Sequence, residues 1–393
     1  MVFRVIGIGN KIPVFTKEQL NLIKKTTFFS GGMRHFELVK DFLPEAHHWI
    51  AIKSPMKALF KQYEAAHNDI IVFASGNPLF YGFSNTLRNQ YPEAEIYTEP
   101  YFSSIQLLAN KTSTNSNELI TVSVHGRDWK ALDVALIQQY PLIGVLTDQH
   151  KNPKTIAERL LKFGYTNYEI SVGEDLEGPK ESVKTMSLVS ASKKVYNSLN
   201  CILLHRVANK IRYFGIKDAA FIGLEGRPNM ITKMPIRLMS LHLLEVMNVG
   251  VFWDIGFCTG SVSIEAKLKN PSLKIVAFEK RPESESILFQ NQQKFGVPGI
   301  QPVMGDFFEQ DLSRYEKPDT IFVGGHGGRL SELLNKLNEI IFSETRIVIN
   351  TVQESSKITF KKCCKNLNWE LSEEVNMSID LHNPIVLLKA RKK

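Results

Sequence analysis

Three acids and one histidine stand where a nucleoside-like ligand can be held and a proton moved. Asp254 lies in the run Phe252-Trp253-Asp254-Ile255-Gly256, Glu279 closes the apolar stretch Lys274 to Phe278, and Gly305-Asp306 follows Gln301 to Met304. Gly256 and Gly260 let the backbone turn sharply and approach a ligand closely. Asp254 is expected at the carboxyl end of its strand, where open α/β sheets bind ligands. An acid at the end of the next strand, here Glu279, can accept hydrogen bonds from both hydroxyls of an adenosine ribose. His326 sits between glycine pairs in Gly324-Gly325-His326-Gly327-Gly328, and its ordinary pKa suits it to give or take a proton near neutrality. Cys258 is expected to be a small buried filler rather than a nucleophile. Adjacent His47 and His48 rarely face one metal, so a surface segment before a strand is expected there.

These residues need strands and helices to bring them together. Val251 to Ile255 reads as a buried strand, and Ser261, Ser263, Ile264 and Glu265 open a helix. A helix is expected over residues 238–247. Later apolar runs end at Gly324 and Asn350, and a closing pair, Trp369 to Met377 and Ile385 to Lys389, is expected to include an antiparallel strand. That order is Rossmann-type and places Asp306 where such folds meet the adenine amino group. A nicotinamide-binding domain is the competing Rossmann reading, but it does not need the closing hairpin. The first half repeats one pattern: an apolar strand, then glycine, serine or aspartate, then a helix. Phe3 to Ile8 ends at Gly9-Asn10, Thr27 to Ser30 at Gly31-Gly32, and Ile70 to Ala74 at Ser75-Gly76-Asn77-Pro78. That is an α/β domain whose loops gather on one edge. The small, polar Ser187 to Ser192 and the turn-rich Lys210 to Arg227 point to a linker within residues 185–230.

Composition narrows the partners. The 393 residues are long for one core and predict two domains. A net charge of +8 with 22% charged residues permits an acidic partner, either nucleic acid or a polycarboxylated small molecule. The basic tail from Lys389 is expected to be a solvated end. No apolar run approaches the roughly 20 residues of a spanning helix, and the first residues read as a strand rather than a signal peptide. Of the four cysteines, Cys201, Cys258, Cys363 and Cys364, none forms a CxxC pair. A reduced, cytoplasmic protein without a metal site is the expectation.

The first half resembles the tetrapyrrole methylase family, which binds S-adenosylmethionine between two α/β lobes. The resemblance rests on the opening strand with Gly7 and Gly9, on Ser75 to Gly82, on Pro100 to Ser104, on Ser123 to Arg127, and on Thr147-Asp148. It implies cofactor contacts at Gly7, Gly9, Gly76, Asn77, Pro78, Ser103 and Ser104, and a macrocycle-orienting role for His125. Asn10 and Asn77 depart from the family pattern. The second half resembles the precorrin C15-methylating, decarboxylating Rossmann (class I) methyltransferases. Ile231-Thr232-Lys233, Trp253 to Glu265, Phe278-Glu279 with Arg281-Pro282-Glu283, Asn291 to Val297, Phe322 to Gly325 with Gly327-Gly328, and Arg346 to Asn350 carry that resemblance. It adds Thr232, Thr259 and Gly305 to Asp254, Gly256, Gly260, Glu279 and Asp306 as cofactor contacts. Cys258 replaces a family glycine, and His326 a family serine.

Together the halves resemble the fused precorrin-6Y C5,15-methyltransferases (decarboxylating). The resemblance implies a two-lobed methylase domain over residues 1–205 and a class I methyltransferase domain over 206–393. It implies two S-adenosylmethionine sites, one per domain, and an acidic tetrapyrrole as the partner, with neither nucleic acid nor membrane. It also implies a homo-oligomer. Arg34, Arg127, Lys233, Arg237 and Arg329, in or near the glycine loops, are candidate carboxylate clamps, and His326 and His125 candidate catalytic groups. Two other functions compete. One is a nucleic-acid methyltransferase, disfavoured by the lack of an Asn-Pro-Pro-Tyr loop and of a basic groove interleaved with aromatics. The other is a non-catalytic S-adenosylmethionine-binding protein.

Overall fold

Short apolar runs punctuated by glycine cannot shield both faces of a sheet by themselves, so helices must cover them. This computed structural model describes residues 1–211, 213–379 and 384–393, and all statements below concern those residues. The chain forms two packed units. One comprises Met1–Arg127, Tyr140–Glu158 and Asn167–Ala208, and the other Asp128–Gln139, Arg159–Thr166 and Asn209–Lys393.

The first unit carries two five-stranded sheets. Strands β1 (Val2–Ile8), β2 (Phe28–Gly31), β3 (His48–Ala51), β4 (Ile70–Ser75) and β5 (Glu95–Glu99) take the order β3-β2-β4-β1-β5, with all pairings parallel. Alternation divides β1 between two cores, Phe3 and Val5 on one face and Ile6 and Ile8 on the other. Strands β6 (Leu119–Ser123), β7 (Leu142–Leu146), β8 (Tyr168–Glu174), β9 (Ser182–Ser187) and β10 (Asn200–Arg206) form the second sheet, in the order β6-β7-β10-β8-β9. Only β6 and β7 run parallel there. The stretch around Ser187 is therefore not linker. β9 pairs with β8, and Ser187 caps the short helix Leu188–Ala191. Its polarity reflects an edge strand with one solvated face.

The second unit is one seven-stranded sheet. Its strands are β11 (Val251–Ile255), β12 (Lys274–Glu279), β13 (Ile300–Met304), β14 (Thr320–Val323), β15 (Arg346–Thr351), β16 (Trp369–Met377) and β17 (Ile385–Lys392). The order is β13-β12-β11-β14-β15-β17-β16. The first five are parallel, and β17 inserts antiparallel between β15 and β16. Strand order reverses at β11, so its carboxyl end opens the crevice where such sheets bind ligands. The helix expected over 238–247 runs instead over Met234–Leu243, because Pro235 fits the first turn, where a missing N–H leaves no bond unmade. No helix is long and apolar enough to cross a membrane, and no cluster of three or more His, Cys, Asp or Glu could hold a metal among the described residues.

Candidate active sites

In the first unit the ends of β1 and β4 meet the turn before the helix Ser104–Lys111. Glycine makes the meeting possible. A Cβ on Gly7 would lie 2.1 Å from the Gly76 carbonyl oxygen and 2.6 Å from the Tyr101 nitrogen. The Gly76 N–H donates to Ile8 O at 2.9 Å, and Gly76 itself has φ +61°. Ser103 caps the following helix, with Gln106 completing a capping box. Between the lobes lies a cavity of about 470 Å³. Its walls include Gly9, Arg34, His35, Ser75, Asn77 and Ser104. The Asn77 Oδ1 accepts the Leu79 N–H at 3.0 Å and so holds the Asn-Pro turn, as an aspartate would.

In the second unit the cleft measures about 250 Å³ and lies over the carboxyl ends of β11, β12 and β14. Gly256 has φ +77°, and a Cβ there would come 2.7 Å from Gly325 N, so these two loops touch through backbone alone. Glu279 is 3% exposed. Its carboxylate accepts N–H groups of Cys258 (3.0 Å), Lys280 (2.9 Å) and Arg281 (3.1 Å), and an Arg281 guanidinium donor reaches both oxygens at 3.0 Å. Asp306 caps the turn at Phe308 N (2.9 Å) and pairs with Arg329 at 3.4 Å, whose guanidinium lies 3.6 Å over the Phe308 ring. His326 Nδ1 accepts the Gly328 N–H at 3.2 Å, Nε2 stands 3.5 Å from Ser356 Oγ, and burial lowers its pKa. Gly305, Cys258 and Met230 complete the wall. Cys258 sits at φ 54° with Sγ donating to Met230 O at 3.0 Å, so it is a turn residue whose thiol closes a loop. Burial, then the Glu279 charge, pushes that thiol up to about 11.

Several expected contacts lie elsewhere. Asp254 is a correction: pleat parity turns it away from the cleft with Phe252, and Ser263 Oγ donates to it at 2.6 Å. Arg237 is another. It is wholly buried, bonded to Glu265, to Asp218 and to the Thr232 and Ile216 carbonyls, so it cannot clamp a substrate. Thr232 serves it through that carbonyl. Thr259 is buried and Gly260 packs against Leu288, both behind the cleft rather than on its wall. Lys233 reaches Asn229 at 3.4 Å and does not line the cleft either. In the first unit, Gly7 and Pro78 shape the turn from behind the cavity surface. His125 lies off the cavity, with Nδ1 at 2.7 Å from the Thr147 carbonyl. Arg127 stacks on Tyr81 at 5.1 Å, over a shallow depression that shares Phe80, Tyr81 and Gly82 with the cavity wall. Sequence alone assigns no site role to His35, nor to Arg281, which enters only within the shared run after Glu279. The signal for each was adjacency: His35 follows the Gly31-Gly32 strand end, and Arg281 follows Glu279.

Comparison with known proteins bears on both units at once. Over 354 residues, the chain is 31% identical to a precorrin-6Y C(5,15)-methyltransferase (decarboxylating) from Sinorhizobium, covering 88% of this chain and 84% of that protein. The chain belongs to the precorrin-6Y C5,15-methyltransferase (decarboxylating) family. The model of a precorrin methyltransferase domain matches residues 226–381 of this family member. A cobalt-precorrin-6B C(15)-methyltransferase (decarboxylating) of Salmonella typhimurium is 37% identical over 120 residues, 30% of this chain and 60% of that one. Among solved structures, a precorrin-6Y C5,15-methyltransferase of Geobacter metallireducens is 29% identical, with a TM-score of 0.42, and covers 46% of this chain and 97% of its own.

Proposed function

We propose that this chain methylates a precorrin-6 type macrocycle at C5 and at C15, with loss of carbon dioxide from the ring C acetate, in corrin biosynthesis. The first unit is assigned the C5 step, and the second the C15 step and the decarboxylation. Two glycine-walled clefts of different α/β design in one chain are the observation that carries this reading. S-adenosylmethionine, one molecule per unit, would supply the electrophilic methyl group. Its adenosine part suits the second cleft: Glu279 offers a buried carboxylate once the Arg281 donor yields its place, and the Gly256–Gly325 contact allows the close backbone approach. Gly9, Gly76, Asn77, Ser103 and Ser104 line the corresponding place in the first unit.

The nucleophile is a carbon made electron-rich by pyrrole nitrogens, so alignment and proximity are the main demands on the protein. Loss of the carboxyl group leaves an electron pair on the side-chain carbon, which must take up a proton. His326, on the cleft wall, is assigned to relay it through Nε2, since Nδ1 accepts the Gly328 N–H. Arg329 can face a substrate carboxylate from the cleft rim. The acidic macrocycle suits a chain of net charge +8, the cysteine usage suits a reduced, cytoplasmic setting, and a homo-oligomer is implied by the resemblance. Incubation with S-adenosylmethionine and a precorrin-6 species, followed by mass spectrometry, tests the function. A product gaining two methyl groups and losing one carbon dioxide is expected. Transfer to RNA alone, or binding without transfer, would overturn it.

A further inference from the structure

The cavity of the first unit contains a polar cluster to which neither the fold nor the assigned cofactor contacts give a role. Ser75 ends β4, and its hydroxyl oxygen has two partners, Arg34 Nη2 at 2.7 Å and His35 Nε2 at 2.9 Å. The tautomer follows from the other ring nitrogen. His35 Nδ1 accepts the Gly32 N–H at 3.2 Å, so the single imidazole proton sits on Nε2 and points at Ser75. Burial, and then the Arg34 charge, holds the His35 pKa down to about 4, with the Phe73 carbonyl opposing, so the ring stays neutral near pH 7.

A serine hydroxyl has two lone pairs and one proton. Arg34 and His35 take both lone pairs, which leaves the Ser75 proton to donate, and Ser75 lines the cavity. Arg34 has five N–H donors. Among the described residues its hydrogen bonds go to two neutral oxygens, Ser75 Oγ and Asn10 Oδ1 at 3.1 Å. Asn10 is itself held by Asp175 at 2.6 Å. A guanidinium with donors to spare and a hydroxyl polarised to donate thus stand side by side at one cavity wall. That pairing matches a carboxylate, which accepts at both oxygens.

We propose that Arg34 and Ser75 bind one side-chain carboxylate of the macrocycle in the first unit, and that His35 is the positioning residue that fixes Ser75 as a donor. The proposal rests on the C5-methylating reading of that unit and names what recognises its substrate. Asn10 belongs to this device: its amide spans Asp175 and Arg34 and holds the guanidinium at the wall.

The test uses the full chain, S-adenosylmethionine and the precorrin-6 macrocycle, with C5 and C15 methylation separated by mass and position. Ser75→Ala and Arg34→Met should each raise KM for the macrocycle at C5 by roughly tenfold or more, the worth of a charge-assisted hydrogen bond. S-adenosylmethionine affinity and C15 methylation should stay within twofold. His35→Asn keeps an acceptor for Gly32 but loses the Ser75 donor, and should raise the same KM. His35→Gln, which restores a donor near the Nε2 position, should recover most of it. Unchanged KM in Ser75→Ala and Arg34→Met, or equal losses in His35→Asn and His35→Gln, would overturn the proposal. If the wild-type chain does not methylate C5 at all, the functional reading fails instead.

Discussion

At the scale of single residues, Arg237 and Asp254 show how burial redefines a charged side chain. Arg237 joins Glu265, Asp218 and two carbonyls, and so ties the 216–232 segment, including the Met230 wall, to the helix that starts at Ser261. Removing it leaves Glu265 buried without its partner. Arg237→Ala should therefore cost about 3–5 kcal/mol in urea unfolding, far beyond the effect of deleting an exposed clamp. Asp254 acts in the opposite sense. Burial, reinforced by the Glu279 charge and opposed by Ser263, pushes its pKa up to about 7. An unfolded aspartate titrates near ~3.9, so between those values the folded chain holds a proton that the unfolded chain has released. The stability this lends is complete below about pH 4 and is lost as pH rises through about 7. Asp254→Asn should flatten that decline. Urea midpoints at acid and neutral pH check it, and an equal decline in both proteins would acquit Asp254.

At the scale of elements, the strand-end turns decide access. The turn between β11 and the next helix brings Gly256 against Gly325 with no room for a Cβ. Gly256→Ala should push the β14 loop away and weaken S-adenosylmethionine binding in the second cleft by roughly tenfold or more, as calorimetry would show. Cys258 holds φ 54°, a conformation that costs a side chain roughly 1–2 kcal/mol. A β-branched residue tolerates it less well. Cys258→Val should thus lower the thermal midpoint and weaken the same site, while Cys258→Gly should keep both. Equal behaviour of the two variants would show that turn geometry is not what Cys258 must satisfy.

At the scale of the whole molecule, the question is how many cofactor sites one chain carries. If each unit holds one, the wild-type chain should bind two equivalents of S-adenosylmethionine. Glu279 is the only predicted ribose acceptor of the second cleft, and Glu279→Gln should leave one equivalent with the affinity of the first unit. Its product should keep the ring C carboxyl group and carry only the C5 methyl. Two equivalents in that variant, measured by calorimetry, would argue against Glu279 as the ribose acceptor.

The amino-acid order by itself determined the alternation of strand, small residue and helix, because that signature is local: buried β-strands read as apolar runs, and glycine marks where backbone must turn. It also determined Glu279, Gly256, Asp306 and the Ser75 to Gly82 turn, since each sits at a strand end that periodicity alone reveals. Tertiary structure alone decided which side chains face the clefts. Asp254 stands one pleat position from Ile255, which lines the cleft, and nothing local sets that parity. Arg237 has partners at 216, 218, 232 and 265, positions that only folding assembles. Ser75 ends β4, while Arg34 and His35 lie in the first turn of the helix Met33–Val39 that follows β2, its parallel neighbour. Their shared hydrogen-bond order arises when β2 and β4 pair, a long-range event that no window of sequence contains.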